Sequence, residues 1–218
     1  MSCTAPDGAI QFDELTVAEE VQLMLGLRTG RLEFEGTMPV AAALIELTLL
    51  GRIGSVPNRA PFTGGSPRKL VVLDQTPTGN RILDAALRPL VARDKPWVTH
   101  RCMLGVGKDV TLTLHSELER RGLVRSVGRY PNRKGFLDIT DDTAYRRLRD
   151  ALGRVRSRPD SVADPRTGAF IDVLRNGADS YSGEQGLQPR ILWEWYPAAM
   201  RDTIHAILQA ERIQFSAG

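Results

Sequence analysis

Apolar residues recur at helical spacing along most of this chain and alternate at strand spacing in two short pairs. Thr16 followed by Glu19 forms a capping box, and behind it Val17, Val21, Met24 and Leu25 predict a core helix ending near Gly26. Val40 to Leu50 is apolar on nearly all sides, with Glu46 as its lone charge, and stops at Gly51. That pattern predicts a central, buried helix. Arg52 to Val56 and Lys69 to Leu73 read as the strands of a hairpin around the turn-rich stretch Pro57 to Pro67. Thr78 is placed to cap a helix from Gly79 to about Arg93, whose apolar face is Ile82, Leu83, Ala86, Leu87 and Leu90.

Pro96 and Trp97 open a shorter helical segment. A helix from Val110 to Arg121 follows, with Leu112, Leu114 and Leu118 turned inward and Gly122 closing it. Leu123 to Val127 and Gly135 to Ile139 alternate like strands about a turn of Gly128, Arg129, Tyr130, Pro131, Asn132 and Arg133. A cationic helix is expected at Asp142 to Arg156, then a loop from Ser157 to Pro165 and helices at about Arg166 to Asn176 and Pro197 to Ile213. Between these last two, Gly177 to Pro189 is polar and glycine-rich and reads as a loop. The fold class is mostly α: a single globular helical domain with two β-hairpins, spanning residues 15–213, with a flexible N-terminus at 1–14 and a short tail at 214–218. No internal repeat is visible.

Composition narrows the class. At 218 residues, with 42% hydrophobic and 25% charged residues, the chain suits one self-sufficient core. Its longest apolar stretches, Ala41 to Leu50 and Ile82 to Val91, contain Glu46 or Asp84 and Arg88 and fall far short of the roughly 20 residues a membrane span needs. Met1 to Asp13 has no basic or apolar leader pattern, so a cytoplasmic location is expected. Two cysteines, Cys3 and Cys102, give no disulfide framework. The strong bias of arginine over lysine suggests a GC-rich bacterial genome.

Charge is unevenly spread although the net is only +3. The first fifty residues are acidic, with Arg28 and Arg31 as their only bases, whereas Arg120, Arg121, Arg125, Arg129, Arg133 and Lys134 crowd into a stretch without acids. A basic middle attracts phosphate-bearing partners, lipid headgroups or nucleic acid.

Catalytic motifs are not found. Gly107 and Lys108 are similar to the end of a P-loop, but Cys102 and Asp109 stand where that motif needs Gly and Ser or Thr. His100, Cys102 and His115 are too scattered to predict a metal site, and no cofactor or enzymatic activity is expected. Carboxylate pairs, Glu19 with Glu20 and Asp141 with Asp142, lie at helix starts, where they favour the positive end of the macrodipole. Trp193, Trp195 and Tyr196 suit either anchoring at a membrane interface or packing of the last helix, with packing preferred.

Four segments carry a resemblance. "LTVAEEVQLMLGL" (Leu15 to Leu27), "LIELTLLGRI" (Leu44 to Ile53), "RKLVVLDQTPTGNRILDAAL" (Arg68 to Leu87) and "LERRGLV" (Leu118 to Val124) resemble, in order and spacing, the Golgi phosphoprotein 3 family, and together cover most of residues 15–140. The third is the most specific, since strand, PTG turn and LDxAL helix all match. The resemblance implies a mostly helical peripheral membrane protein that binds phosphatidylinositol 4-phosphate in a basic pocket and inserts a β-hairpin tip into the bilayer interface; eukaryotic members retain Golgi glycosyltransferases. By spacing, the family's pocket Trp falls at Arg31, one pocket Arg at Val40, and two more at Lys108, a retained base, and Thr111. Headgroup contacts are therefore expected at Lys108, Arg31 and Thr111. The membrane hairpin would present Arg125, Arg129, Arg133 and Lys134 around Tyr130 and Phe136, each charge worth about 1 kcal/mol near an anionic surface.

Two other readings use the same residues. "LHSELERRGLVRSVGRYPNRKGFLDIT" also resembles the recognition helix, strand and wing of a winged-helix DNA-binding domain, although Trp97 to Asp109 just upstream is glycine-interrupted and poor in base-reading side chains. The acidic N-terminal and basic central surfaces would alternatively pair with a protein partner or between copies of the chain.

Overall fold

The computed structural model describes residues 15–29, 36–59, 68–127, 136–139, 146, 164–182 and 195–215. Among these run six helices and five strands: α1 (Val17–Thr29), α2 (Thr37–Leu49), β1 (Ile53–Pro57), β2 (Arg68–Val72), α3 (Arg81–Arg93), β3 (Trp97–Val98), α4 (Thr99–Arg120), β4 (Val124–Val127), β5 (Phe136–Ile139), α5 (Pro165–Ser182) and α6 (Ala198–Phe215). The fold is mostly helical, as expected.

The most apolar helix is the hub. Residues 38–45 of α2 are all buried, and α1, α3, α4, α5 and α6 each pack against it. Three successive alanines, Ala41, Ala42 and Ala43, at 0% exposure let those neighbours approach closely. Helix α2 ends as its sequence demands. Gly51 turns to φ 69°, its N–H donates to the Thr48 carbonyl, and the Arg52 N–H donates to the Leu47 carbonyl. Gly122 closes α4 in the same way, at φ 71°, with bonds from Gly122 to Glu119 and from Leu123 to Leu118.

The capping box of α1 forms: the Thr16 N–H donates to Glu19 Oε2 at 2.7 Å and the Glu19 N–H donates to Thr16 Oγ1 at 3.2 Å. The helix runs past Gly26 to Thr29. At α3 the cap is Asn80 rather than Thr78, its Oδ1 accepting from the Ile82 and Leu83 N–H groups. Thr78 instead ties the preceding turn, donating from its N–H and hydroxyl to Asp84 Oδ1 at 2.7 and 2.8 Å.

The first hairpin is antiparallel as expected, and gains a third strand. Trp97 does not open a helix; it pairs with Leu70 as β3. Helix α4 then starts at Thr99, eleven residues before the expected Val110. Two glycines inside it mask that start in the sequence, and Gly105 has a packing reason, since a Cβ there would lie 2.2 Å from the Trp97 ring. Leu112 does not turn inward but is 39% exposed. It lies about 200° around the helix from both Val110 and Leu114, which are buried.

The last two helices are longer than their sequence pattern. Helix α5 continues through Gly177, where a loop was expected, because Met38 of α2 lies against that glycine in the space a side chain would fill. Helix α6 runs on through Phe215. Trp195 packs over Gly168, and Tyr196 is 1% exposed with its hydroxyl donating to Asp172 at 2.8 Å, so these aromatics pack the last helices. Trp193, the expected helix Asp142 to Arg156 apart from Arg146, the N-terminal segment 1–14 and the tips of both hairpins lie outside the described residues.

Candidate functional site

Lys108 and Thr111 sit on α4 one turn apart, Lys108 exposed and Thr111 half-buried. Val40, the third expected pocket position, lies on α2 next to this stretch: a Cβ on Gly107 would be 3.9 Å from Val40 Cγ2. Val40 thus lies beside this stretch of α4 without a contact to the exposed Lys108, while Arg31 lies outside the described residues. Val40 is only 3% exposed and belongs to the core.

Lys108 stands in a stripe. Arg101, Leu104, Lys108 and Leu112 follow one another at helical spacing along the outer face of α4, and the two leucines are 65% and 39% exposed. Such a stripe presents positive charge beside apolar side chains, the combination that suits an anionic surface with an apolar interior. The sequence reading missed both leucines, having assigned Leu112 to the core. Asp109 beside them is also exposed and subtracts from the charge.

The second hairpin rises from the end of α4, roughly 18 Å along the helix from Lys108. Its register sets Arg125 opposite Asp138 and Val127 opposite Phe136. Arg125 is exposed. Arg129, Tyr130, Arg133 and Lys134 lie outside the described residues.

Not all of the basic run is available to a partner. Arg120 bonds Glu117 at 2.8 Å, and Arg81 reaches the same carboxylate at 2.6 Å. These contacts, the Arg120 hydrogen bond foremost, hold the Glu117 carboxyl below its usual range. Arg121 pairs with Glu19 at 3.2 Å. The first two arginines of the run are thus engaged by acids from their own helix and from α1.

A second charged cluster, buried, escaped the sequence reading. Glu46 of α2 accepts the Val17 N–H at 2.8 Å and so caps α1 from another helix. Arg166 of α5 reaches Glu20 at 3.1 Å, Glu46 at 3.4 Å and the Leu15 carbonyl. With Glu19 and Arg121 this makes three carboxylates against two guanidiniums. Burial raises the Glu20 carboxyl to about 7 against the pull of Arg166, and raises Glu46 as well. The one sequence signal was Glu46, a single charge in an apolar helix. With its carboxylates mostly buried and its guanidiniums half-buried, the cluster ties α1, α2, α4 and α5 together.

Among the described residues no group of His, Cys, Asp and Glu is arranged to hold a metal, and no helix is long and apolar enough to cross a membrane. His100, Cys102 and His115 all fall on α4. The Cys102 thiol is pushed up to about 12 by burial and the His115 imidazole down to about 4 for the same reason.

No curated protein matches the chain. Residues 17–178, most of its length, match the family described as Golgi phosphoprotein 3 (GPP34). That span takes in the capped α1, the buried α2, the hairpin with its PTG turn and α4 with its basic stripe, and the chain belongs to the Golgi phosphoprotein 3 family.

Proposed function

We propose that this protein docks peripherally on the cytoplasmic surface of anionic membranes, recognising lipid headgroups, with phosphatidylinositol 4-phosphate as the ligand that family membership suggests, and that it catalyses no reaction. The observation that carries the reading is the α4 stripe, in which Lys108 stands between two exposed leucines beside the α2 crossing. Lys108, Thr111 and Arg31 form the headgroup site, and Arg125, Arg129, Tyr130, Arg133, Lys134 and Phe136 form the hairpin that enters the interface.

Docking of this kind is weak and salt-sensitive, since each cation near an anionic surface is worth about 1 kcal/mol. Co-sedimentation with neutral, anionic and phosphatidylinositol 4-phosphate-containing liposomes at two salt concentrations tests it, with duplex DNA as competitor. Lys108→Glu removes one attraction and adds one repulsion, together about 2 kcal/mol, so binding falls about 30-fold with an unchanged thermal midpoint. Retained binding in that variant would remove the stripe from the site. Binding to duplex DNA without binding to liposomes would sink the membrane reading and favour the winged-helix one.

A further inference from the structure

Helix α4 carries two faces of opposite character. Val106, Val110, Leu114 and Leu118 are fully buried on one side. On the other, Arg101 and Glu119 stand at the same angle, five whole turns and about 27 Å apart, and Leu104, Lys108 and Leu112 lie between them within about 60° of that line. All five are exposed.

Charge on the outer face is divided along the helix. The basic Arg101 and Lys108 come first, and the acidic Asp109 and Glu119 follow. Arg120, beyond them, is held by Glu117. Such a face is complementary to itself in reverse. When α4 of a second copy lies antiparallel and centred on position 110, Arg101 meets Glu119 of the second copy, and by two-fold symmetry the same contact forms again at the other end. Lys108 then lies opposite Leu112 of the second copy and within about one turn of its Asp109, and each Leu104 comes within about one turn of the other copy's Leu112. A parallel arrangement sets Arg101 on Arg101 and Lys108 on Lys108, which charge disfavours.

We infer that the exposed face of α4 pairs antiparallel with the same face of a second copy of this chain, through reciprocal Arg101–Glu119 contacts and the leucines between them. A single helix face buries less than the roughly 1,200 Å² of stable complexes, so the pairing is weak and forms where copies are concentrated. It covers Lys108 and both leucines, so a paired copy withholds the stripe from a lipid surface. That consequence rests on the membrane reading, whereas the pairing itself does not.

Sedimentation velocity of the full chain without lipid, from micromolar to near-millimolar concentration, tests the pairing. A monomer–dimer equilibrium is expected, weakened by added salt. Arg101→Glu and Glu119→Arg each turn two attractions into two repulsions and weaken self-association about tenfold. An equimolar mixture of these two variants pairs about as tightly as the unaltered chain, because each supplies the charge that the other lacks. The chain carrying both substitutions recovers self-association by the same exchange. Leu104→Asp, at a 65% exposed position, weakens pairing independently and serves if either charge variant fails to fold. A chain that stays monomeric throughout would overturn the proposal. So would a mixture that associates no better than its two components, or pairing indifferent to Leu104→Asp.

Discussion

Two regions of this molecule are rich in charge and use it in opposite ways. Around Arg166, three carboxylates and two guanidiniums are packed between helices, where Glu19 is fully buried and Glu20 nearly so. Along α4 and into β4, Arg101, Lys108 and Arg125 stand in solvent. The buried set binds the chain to itself, while the exposed set faces outward. The contrast also corrects a simple count of charge, because Arg120 and Arg121 are both engaged by acids of the fold. A basic run in a sequence is therefore not yet a basic surface.

The strongest way to break the comparison is to remove the half-buried cation at the centre of the cluster. Arg166→Met strands Glu20 and Glu46 without their partner, and breaking a buried pair in this way costs about 3 kcal/mol or more. In a domain of this size that lowers the thermal midpoint by roughly 10 °C, measurable by circular dichroism, with liposome binding at low temperature unchanged. Adding Glu20→Gln and Glu46→Gln to Arg166→Met removes the stranded charges and restores most of the loss. If Arg166→Met alone is neutral, the cluster does not hold the helices together.

Much of this division was legible in the chain, and the reason differs by region. The caps of α1, α2 and α4 were readable because each depends on a few neighbouring residues: Thr16 with Glu19, Gly51, and Gly122. The start of α4 was hidden because Gly105 reads as a helix breaker, and only the Trp97 ring lying across it explains its presence. The buried cluster was hidden because Arg166 is 120 residues from Glu46, and no local pattern joins them. The candidate site was legible in part. Lys108 and Thr111 came from the family resemblance, but the exposed leucines on either side of Lys108 needed the rotation of α4 that the fold fixes.

The comparison sharpens with pH. The Glu20 and Glu211 carboxyls are both raised to about 7 by burial, from an ordinary 4.5. A raised acid binds its proton more tightly when folded, so its stabilising contribution is full below 4.5 and is lost as pH rises through 7. Between pH 6.5 and 8 each of these carboxyls gives up on the order of 1 kcal/mol, while His115, lowered to about 4, regains a smaller amount as the unfolded imidazole stops binding a proton. The net is a loss on the order of 1 kcal/mol by denaturant titration, reduced in Glu211→Gln. A flat profile over this window would mean that the buried carboxyls stay charged beside their arginines.

The smallest effect separates the two regions at their boundary. Arg120 and Arg125 are five positions apart, and both are exposed. Arg120 is bound to Glu117, whose carboxylate it shares with Arg81, and Arg125 lies in register with Asp138 across the hairpin. If the Glu117 contact holds the Arg120 guanidinium, Arg120→Gln lowers liposome affinity by no more than about twofold, while Arg125→Gln, removing one cation from the proposed docking surface, lowers it about fivefold. Equal losses would mean that the Glu117 contact leaves Arg120 available to the membrane, and that the docking surface begins on α4 and not at the hairpin. A larger loss for Arg120→Gln would move the surface further still, toward the Lys108 stripe, and make the hairpin its edge.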